Sequence, residues 1–281
     1  MTDPSECAAI ALLDVLCDPG KPARDPPATM VVVAHPDDET VGAGSRLSRL
    51  VDARFVHVTD GAPLDGRDAV AHGLSVPEYA AVRQRELAKA LALCGIDASH
   101  LLRLRCPDQR AALRLAALAR ALRRLFHEFR PAAVLTHPYE GGHPDHDASA
   151  FAVHAAARSL RNGGEPSPVL LEMSSYHLGA HGLQPGRFLP AGGGEVRTVH
   201  LTPEEQRHKR SLFDCFASQS RTLACFPLDV ERFRRAPAYD FRAPPHPGPL
   251  FYESFPWGMT GTRFCGLAER AMSELGVRGP L

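Results

Sequence analysis

The sequence predicts an α/β fold in which helices cover both faces of a mostly parallel sheet, giving three layers. Short apolar segments alternate with longer segments whose apolar residues recur at helical spacing, a pattern typical of βαβ units. Residues 30–34 are apolar throughout, as expected of a central strand that is buried on both faces. The chain has 281 residues and an apolar content of 44%, which is enough for one such domain.

The predicted elements follow one another in a regular order. Residues 7–16 have the pattern of a short amphipathic helix, and a Pro-rich linker at 18–28 leads into the first strand. We predict strands at 30–34, 54–59, 101–105, 132–136, 169–177 and 196–201. We predict helices near 42–52, 77–94, 109–129, 145–161 and 202–218. The last of these begins at Thr202 and Pro203, where Glu205 completes a capping box.

Three regions follow from this order. Residues 1–28 form an N-terminal helix and linker, residues 29–225 form the main α/β domain, and residues 226–281 form a C-terminal extension that we expect to pack on the same domain. The extension should be rich in loops, because the prolines of segment 236–249 prevent regular structure there.

Composition limits the classes of function. Lys and Arg together number 32, as do Asp and Glu, so no overall charge favours nucleic acid as a partner. No segment is long and apolar enough for a membrane span, and the N-terminus lacks the pattern of a signal peptide. The seven cysteines are scattered and form no C-x-x-C pair. Reduced thiols of this kind predict a cytoplasmic protein.

Two clusters of histidine and acidic residues follow predicted strands. The first, His35 to Glu39, comes directly after strand 30–34, and the second, His137 to Asp147, comes after strand 132–136. The carboxyl ends of parallel strands meet at one edge of a sheet, where α/β proteins bind their ligands. The clusters are therefore expected to form one site.

The spacing within the clusters suits a catalytic metal. His35 and Asp38 are three residues apart, as are His143 and His146, so each pair can face one point from a helical turn. A catalytic zinc binds three such side chains and acidifies water. Side chains left over can then accept the water proton and protonate a leaving group. The residues alone leave open which of Asp37 and Asp38 binds the metal.

Both clusters carry motifs of a known family. The run Ala34-His-Pro-Asp-Asp-Glu39, followed by His143-Pro-Asp-His146, resembles the PIG-L/LmbE family of metal-dependent N-deacetylases. Members typically remove acetyl groups from conjugates that contain N-acetylglucosamine. Weaker similarity extends along the chain, at Thr59-Asp-Gly61, Arg83-Gln-Arg-Glu86 and Glu253-Ser-Phe255. The resemblance implies a Rossmann-like fold and a small-molecule amino sugar conjugate as substrate.

The resemblance also implies the metal site. Three residues would bind one metal ion, namely His35, Asp38 and His146. Zinc is the expected metal, with Fe²⁺ or Co²⁺ as alternatives, because such sites accept several divalent ions.

Four further residues receive roles by resemblance. Asp37 would be the general base, and His143 would stabilise the oxyanion or act as general acid. Asp145 would orient the ring of His143, and Arg83 would hold substrate hydroxyls or a phosphate. The family often has a histidine where this chain has Phe216, so the role of that histidine is in doubt here.

Several questions stay open at this point. The expected activity is zinc-dependent removal of an N-acetyl group. The alternatives are an amidase acting on a larger N-acyl or thiol conjugate, and a non-catalytic metal-containing protein that binds sugars. Several relatives assemble into trimers or hexamers, so the resemblance also implies a homo-oligomer. We expect substrate choice to depend on loops 61–78 and 178–195 and on the segment from Arg232 onward.

Overall fold

A seven-stranded sheet forms the centre of the protein. The computed structural model describes residues 4–18, 26–190 and 194–281. Its strands are β1 (Thr29–Val33), β2 (Arg54–Pro63), β3 (Leu101–Asp108), β4 (Ala133–Thr136), β5 (Val169–Met173), β8 (Arg197–His200) and β9 (Val230–Arg235). They lie in the order β3-β2-β1-β4-β5-β9-β8. A separate hairpin pairs β6 (Tyr176–Gly179) with β7 (Gly182–Pro185).

The directions of the strands determine where the two predicted clusters lie. Strands β3, β2, β1, β4 and β5 are parallel, whereas β9 runs antiparallel to both β5 and β8. The strand order reverses between β1 and β4, which are neighbours at the centre of the sheet. Such a reversal opens a crevice at the carboxyl ends of the two strands. Both predicted clusters begin there.

Helices cover both faces of the sheet. The α-helices are α1 (Pro4–Cys17), α2 (Asp38–Ala43), α3 (Arg67–Ala71), α4 (Val76–Leu93), α5 (Leu115–Phe129), α6 (Pro144–Asn162), α7 (Pro203–Phe213), α8 (Ser220–Leu223) and α9 (Gly261–Leu275). Short 3₁₀ helices occupy Gly44–Arg49, Ala98–His100, Ala111–Arg114, Ala217–Gln219 and Phe251–Ser254. Helices α5, α6 and α9 share one hydrophobic core with the sheet, and α1, α4 and α7 share the other.

Strand β1 shows why the layers form. Met30 and Val32 belong to the core beneath α5 and α6, while Val31 and Val33 belong to the core beneath α1 and α4. All four side chains are fully buried, since successive residues of a strand point to opposite faces. The predicted three-layer fold with a mostly parallel sheet is confirmed.

The structure corrects three predicted elements. The helix expected near 42–52 starts earlier, at Asp38, and gives way to a 3₁₀ helix at Gly44. The helix expected to reach residue 218 ends at Phe213. The strand expected over 169–177 is interrupted, because β5 ends at Met173 and the chain then enters the β6–β7 hairpin.

The C-terminal region contains more regular structure than the sequence predicts, and both ends of the chain pack on the main domain. Residues 226–281 supply β9 to the main sheet and α9 to an outer layer, with an irregular Pro-rich stretch between them. Helix α1 packs on β4, β5, β8 and β9. Residues 19–25 of the predicted linker lie outside the described residues. In the part of the chain that the structure describes, no helix has the length and apolarity needed to cross a bilayer.

Candidate active site

The turn after β1 presents the first cluster. The backbone N–H of Asp37 donates to the carbonyl oxygen of His35 over 3.0 Å, which folds the chain sharply before α2 begins at Asp38. Asp37 has a φ of 153°, a strained value for a residue with a side chain. Strain of this kind is concentrated at functional sites.

Three predicted ligands meet at the centre of the crevice. His35 Nδ1 lies 3.2 Å from Asp38 Oδ2 and 3.2 Å from His146 Nε2. His146 Nε2 lies 3.2 Å from Asp38 Oδ1. Each pair of these three residues is thus joined by a contact of 3.2 Å, with Asp38 using a different carboxylate oxygen toward each ring, and we call the three residues the donor triangle. The turn after β1 and the start of α2 position His35 and Asp38, and the first turn of α6 positions His146.

The donor triangle fits a divalent metal ion. Around a tetrahedral zinc with bonds of roughly 2.0–2.1 Å, neighbouring ligand atoms are separated by about 3.3–3.4 Å. The spacing in the triangle is close to this value, and its three residues are at most 8% exposed. A carboxylate and two imidazole nitrogens are the ligand types that zinc prefers.

Hydrogen bonds hold the far nitrogens of both rings. His35 Nε2 lies 3.0 Å from Asp108 Oδ1, and His146 Nδ1 lies 3.2 Å from Ser175 Oγ. Partners of this kind fix the ring orientation and leave the opposite nitrogen for a metal. Neither Asp108 nor Ser175 is among the site residues predicted from the sequence. Asp108 ends β3, so the strand-end rule applied to the third parallel strand would have found it.

Asp37 lies outside the donor triangle. Its Oδ2 accepts a hydrogen bond of 3.0 Å from Arg83 Nη2. Arg83 is only 3% exposed and also donates to the carbonyl oxygens of Pro36 and Gly61. Burial raises the pKa of Asp37 to about 7, although Arg83 acts in the opposite direction. Arg83 lines the cavity described below, with much of its guanidinium occupied by these partners.

His143 precedes α6 and faces the same crevice. Its Nδ1 accepts a hydrogen bond of 3.1 Å from the backbone N–H of Asp145, so the ring proton is left on Nε2. Burial holds the pKa of His143 well below its usual value. The carboxylate of Asp145 accepts instead from the backbone N–H groups of Gln109 and Ala111. Asp145 therefore contacts the His143 ring through its backbone and not through its acid.

The charges of the site are strongly coupled. Burial acts against the charged form of Asp38, but His146, His137 and His35 hold its pKa well below the usual range. Burial lowers the pKa of His146 to about 4. His35 differs from His146, because the carboxylates of Asp108 and Asp38 outweigh the effect of burial and raise the pKa of His35 well above its usual value. An acid that stays ionised beside the rings suits a cation site.

Two more histidines surround the donor triangle. Ligand atoms of His35, His143 and His146 lie within 4.8 Å of one another, as do those of Asp38, His137 and His146. The His137 ring stacks on His146 at 4.0 Å, and its Nε2 lies 3.2 Å from Asp38 Oδ2. Phe216, by contrast, is fully buried in the core beneath α4 and α7, so it adds nothing polar to the site.

A cavity of about 480 Å³ opens over these residues. Its polar and charged lining consists of His35, Asp37, Asp38, Asp68, Arg83, Asp108, Gln109, His143, His146, Gln219, Arg221 and Thr222. Its apolar side includes Leu183, Leu223, Phe226, Phe251, Phe255 and Trp257. The structure thus brings every predicted site residue except Asp145 to the cavity surface, and Asp145 is fully buried directly behind His143.

Sequence comparison places this arrangement among known proteins. The PIG-L family model, described as GlcNAc-PI de-N-acetylase, matches residues 30–157. Two mycobacterial proteins, from Mycobacterium sp. strains KMS and JLS, are 31% identical over 166 residues, or 50% of this chain. Both are named 1D-myo-inositol 2-acetamido-2-deoxy-alpha-D-glucopyranoside deacetylase. The chain spans about half the length of these relatives, since the match covers 53% of each.

Solved structures share the fold. A deacetylase from the biosynthesis pathway of teicoplanin has a TM-score of 0.58 at 18% identity, over 74% of this chain and 96% of that chain. The N,N'-diacetylchitobiose deacetylase from Pyrococcus horikoshii has a TM-score of 0.52 at 19% identity, over 84% of this chain and 94% of that chain. Because the family match covers both motifs at the ends of β1 and β4, the predicted resemblance to the PIG-L family is confirmed.

Proposed function

We propose that this protein is a metal-dependent hydrolase that removes the N-acetyl group from a conjugate of the N-acetylglucosamine type. One observation carries the proposal: a buried carboxylate, Asp37, faces the same cavity as the donor triangle but is held by Arg83 outside it. A metal site with an adjacent free base suits hydrolysis of an amide. The mycobacterial relatives, named as deacetylases of an acetamido sugar, support this substrate class.

The proposed cofactor is a single divalent ion, with zinc as the first candidate and Fe²⁺ or Co²⁺ as alternatives. His35, Asp38 and His146 would hold it, since they supply one carboxylate and two imidazole nitrogens at suitable spacing. When bound, the ion would polarise the amide carbonyl and acidify water.

Asp37 and His143 have different roles in the reaction. Asp37 accepts a proton from the attacking water, and its pKa of about 7 suits a general base near neutral pH. His143 is neutral with its proton on Nε2, so it can donate a hydrogen bond to the oxygen on which negative charge develops. The proton taken by Asp37 then passes to the leaving nitrogen. Acetate and a free amine are the products.

Two residues act by positioning the others. Arg83 holds the carboxylate of Asp37, and it would contact substrate only with the donors that this pairing leaves free. The backbone N–H of Asp145 sets the tautomer of His143, while the carboxylate of Asp145 accepts a hydrogen bond from the backbone of Gln109. A cytoplasmic setting agrees with seven free cysteines, and homo-oligomerisation stays a prediction.

Release of acetate tests the proposal. Metal-loaded protein is incubated with N-acetylglucosamine conjugates, and acetate and free amine are both measured. We expect equal amounts of the two products, and a loss of at least about 100-fold in Asp37→Asn with metal content unchanged. Asp65→Asn, which removes an exposed acid outside the cavity, is the matched control.

Other outcomes separate the alternatives. Amine release confined to substrates with a longer N-acyl group would favour the amidase. Metal and sugar binding without any turnover would favour the binding protein. Full activity in Asp37→Asn would exclude Asp37 as the base.

A further inference from the structure

One wall of the cavity is apolar and lies outside the residues that match the family. It consists of Leu183, Leu223, Phe226, Phe251, Phe255 and Trp257, and we call it the apolar wall. The family match ends at residue 157, so the β6–β7 hairpin, the α8 region and the C-terminal segment supply it. These parts of the chain contribute no residue to the donor triangle.

The apolar wall begins at a proposed catalytic residue and continues to the rim. The Trp257 ring lies 4.8 Å from the His143 ring. Phe255 stacks on Trp257 at 4.4 Å with an angle of 11° between the rings. Phe255 is 37% exposed, so the outer part of the wall faces solvent. An aromatic surface exposed beside a catalytic site is typical of a ligand contact.

Tyr176 connects the donor triangle to two rings of the apolar wall. Tyr176 lies edge-on to His146 at 5.2 Å and contacts Phe226 at 5.6 Å and Phe251 at 5.8 Å. The aromatic surface therefore reaches the donor triangle through Tyr176 and reaches His143 through Trp257. The polar floor and the apolar wall belong to one continuous cavity.

Charge is distributed unevenly over this cavity. The acids and the arginine of the proposed chemistry, Asp37, Asp108 and Arg83, lie on the polar side. The six residues of the apolar wall carry no charge, although two further charged residues, Asp68 and Arg221, also line the cavity. An ionised group placed against these six side chains would lose hydration without gaining a partner from them, which is costly, and an anion would have to reach Arg221 to find an opposite charge next to the wall. An uncharged apolar group placed there would instead gain from burial.

We propose that the cavity binds its substrate in two parts, the acetamido sugar over the polar floor and an uncharged apolar aglycone against the apolar wall. The inference rests on the proposed function and narrows its substrate class to N-acetylglucosamine glycosides with aryl or alkyl aglycones. A cavity of about 480 Å³ is in the size range in which proteins bury ligands of drug size.

A series of glycosides tests the inference. Acetate release by metal-loaded protein is compared for the methyl, octyl and phenyl glycosides of N-acetylglucosamine and for N-acetylglucosamine 1-phosphate. We expect kcat/KM for the octyl or phenyl glycoside to exceed that for the methyl glycoside by about tenfold or more, mainly through KM. A phenyl preference would indicate stacking on Phe255 and Trp257, and an octyl preference would indicate general apolar contact.

Variants of the wall locate the effect. Phe255→Ala should bring the ratio of phenyl to methyl kcat/KM toward one, and Phe255→Leu should retain the octyl preference while weakening the phenyl preference. Leu93→Ala, at a residue 54% exposed on α4 and outside the cavity, is the matched apolar control and should leave every ratio unchanged.

Failure of the inference can be told apart from failure of the proposed function. Equal kcat/KM for methyl, octyl and phenyl glycosides would overturn the inference while deacetylation stands, and so would a preference for the 1-phosphate. If no glycoside releases acetate, deacetylation of this class fails. The binding affinities of the same glycosides, measured by calorimetry, then test the inference separately from the activity. The inference is overturned if the apolar glycosides bind no more tightly than the methyl glycoside.

Discussion

Arg83 and Asp37 form a buried ion pair in which Nη2 and Oδ2 are 3.0 Å apart. The same guanidinium donates to the carbonyl oxygens of Pro36 and Gly61. Helix α4 thereby holds the turn after β1 and the end of β2 together. The pair keeps the carboxylate of Asp37 directed away from the donor triangle, where it would otherwise compete for a cation.

Replacing Arg83 tests this positioning role. Arg83→Met should lower kcat by about 100-fold, because the base loses the partner that fixes its direction. Metal content should stay at the wild-type value, since Arg83 contacts Asp37 and carbonyl oxygens and not the donor triangle. Steady-state kinetics with metal analysis measures both, and Arg85→Met, at an exposed position of the same helix, is the control.

The same variant distinguishes two roles for Arg83. A rise in KM with kcat unchanged would contradict positioning and favour the substrate contact that the family resemblance implies. Arg83→Lys keeps the charge but loses the planar fork, so it should restore only part of kcat if positioning is the main role.

Asp108 should control metal affinity through His35. Its Oδ1 lies 3.0 Å from His35 Nε2, so it fixes the ring with Nδ1 toward the donor triangle. Asp108→Asn should weaken zinc binding by roughly 10–100-fold, as is usual for partners of metal-bound histidines. Competition with a chromogenic chelator measures the affinity. Asp65→Asn removes an exposed acid from the loop after β2 and should leave affinity unchanged; equal losses in the two variants would indicate a general charge effect.

Gly142 allows a close approach at the site. A Cβ at this position would overlap the carbonyl oxygen of Tyr176 and lie 3.0 Å from its ring. Gly142→Ala should therefore push the β6–β7 hairpin away from His143, and we expect lower activity together with a reduced melting temperature. Gly266→Ala, in α9 with open space around it, should instead stabilise the protein by about 0.5–1 kcal/mol. A melting temperature that stays unchanged in Gly142→Ala would show that the hairpin moves freely.

Local motifs explain how much of the site the sequence predicts. His35, Asp38, His143 and His146 lie within two short runs at the ends of apolar strands, so their spacing and the strand-end rule suffice to group them. Asp37 needed the family resemblance, because adjacent acids cannot be assigned from spacing. The structure adds the Arg83 contact that separates the two acids.

Long-range pairing explains what the sequence did not predict. Strand β9 has the sequence Val-Glu-Arg-Phe-Arg-Arg. Four of its six residues are charged, so the sequence does not have the apolar pattern expected of a strand inside the sheet. The structure pairs these charges in the interior, with Glu231 bound to Lys209 and Arg234 bound to Glu172. Ser175 reaches His146 only through the fold of the chain after β5. Neither relationship has a local signal in the sequence.

The stability of the protein should fall in mild acid because of His154. This residue of α6 is 3% exposed and packs edge-on against Tyr239 at 5.3 Å and at 5.7 Å from Phe241. Burial lowers the pKa of His154 from 6.5 to about 4. Because the folded pKa lies below the unfolded value, protons bind the unfolded chain more tightly between these limits, and stability present above pH 6.5 is lost as the pH falls toward 4.

The size of this effect can be measured by difference. Between pH 7 and pH 5, the free energy of unfolding of the wild type should fall by about 2 kcal/mol more than that of His154→Leu. Urea unfolding of metal-loaded protein at both values measures it, and the other titrating groups cancel in the comparison. His200→Leu, which removes a histidine at an exposed end of β8, is the control and should follow the wild type. If His154→Leu loses as much stability as the wild type, the acid sensitivity arises elsewhere, and the buried ring of His154 is not its source.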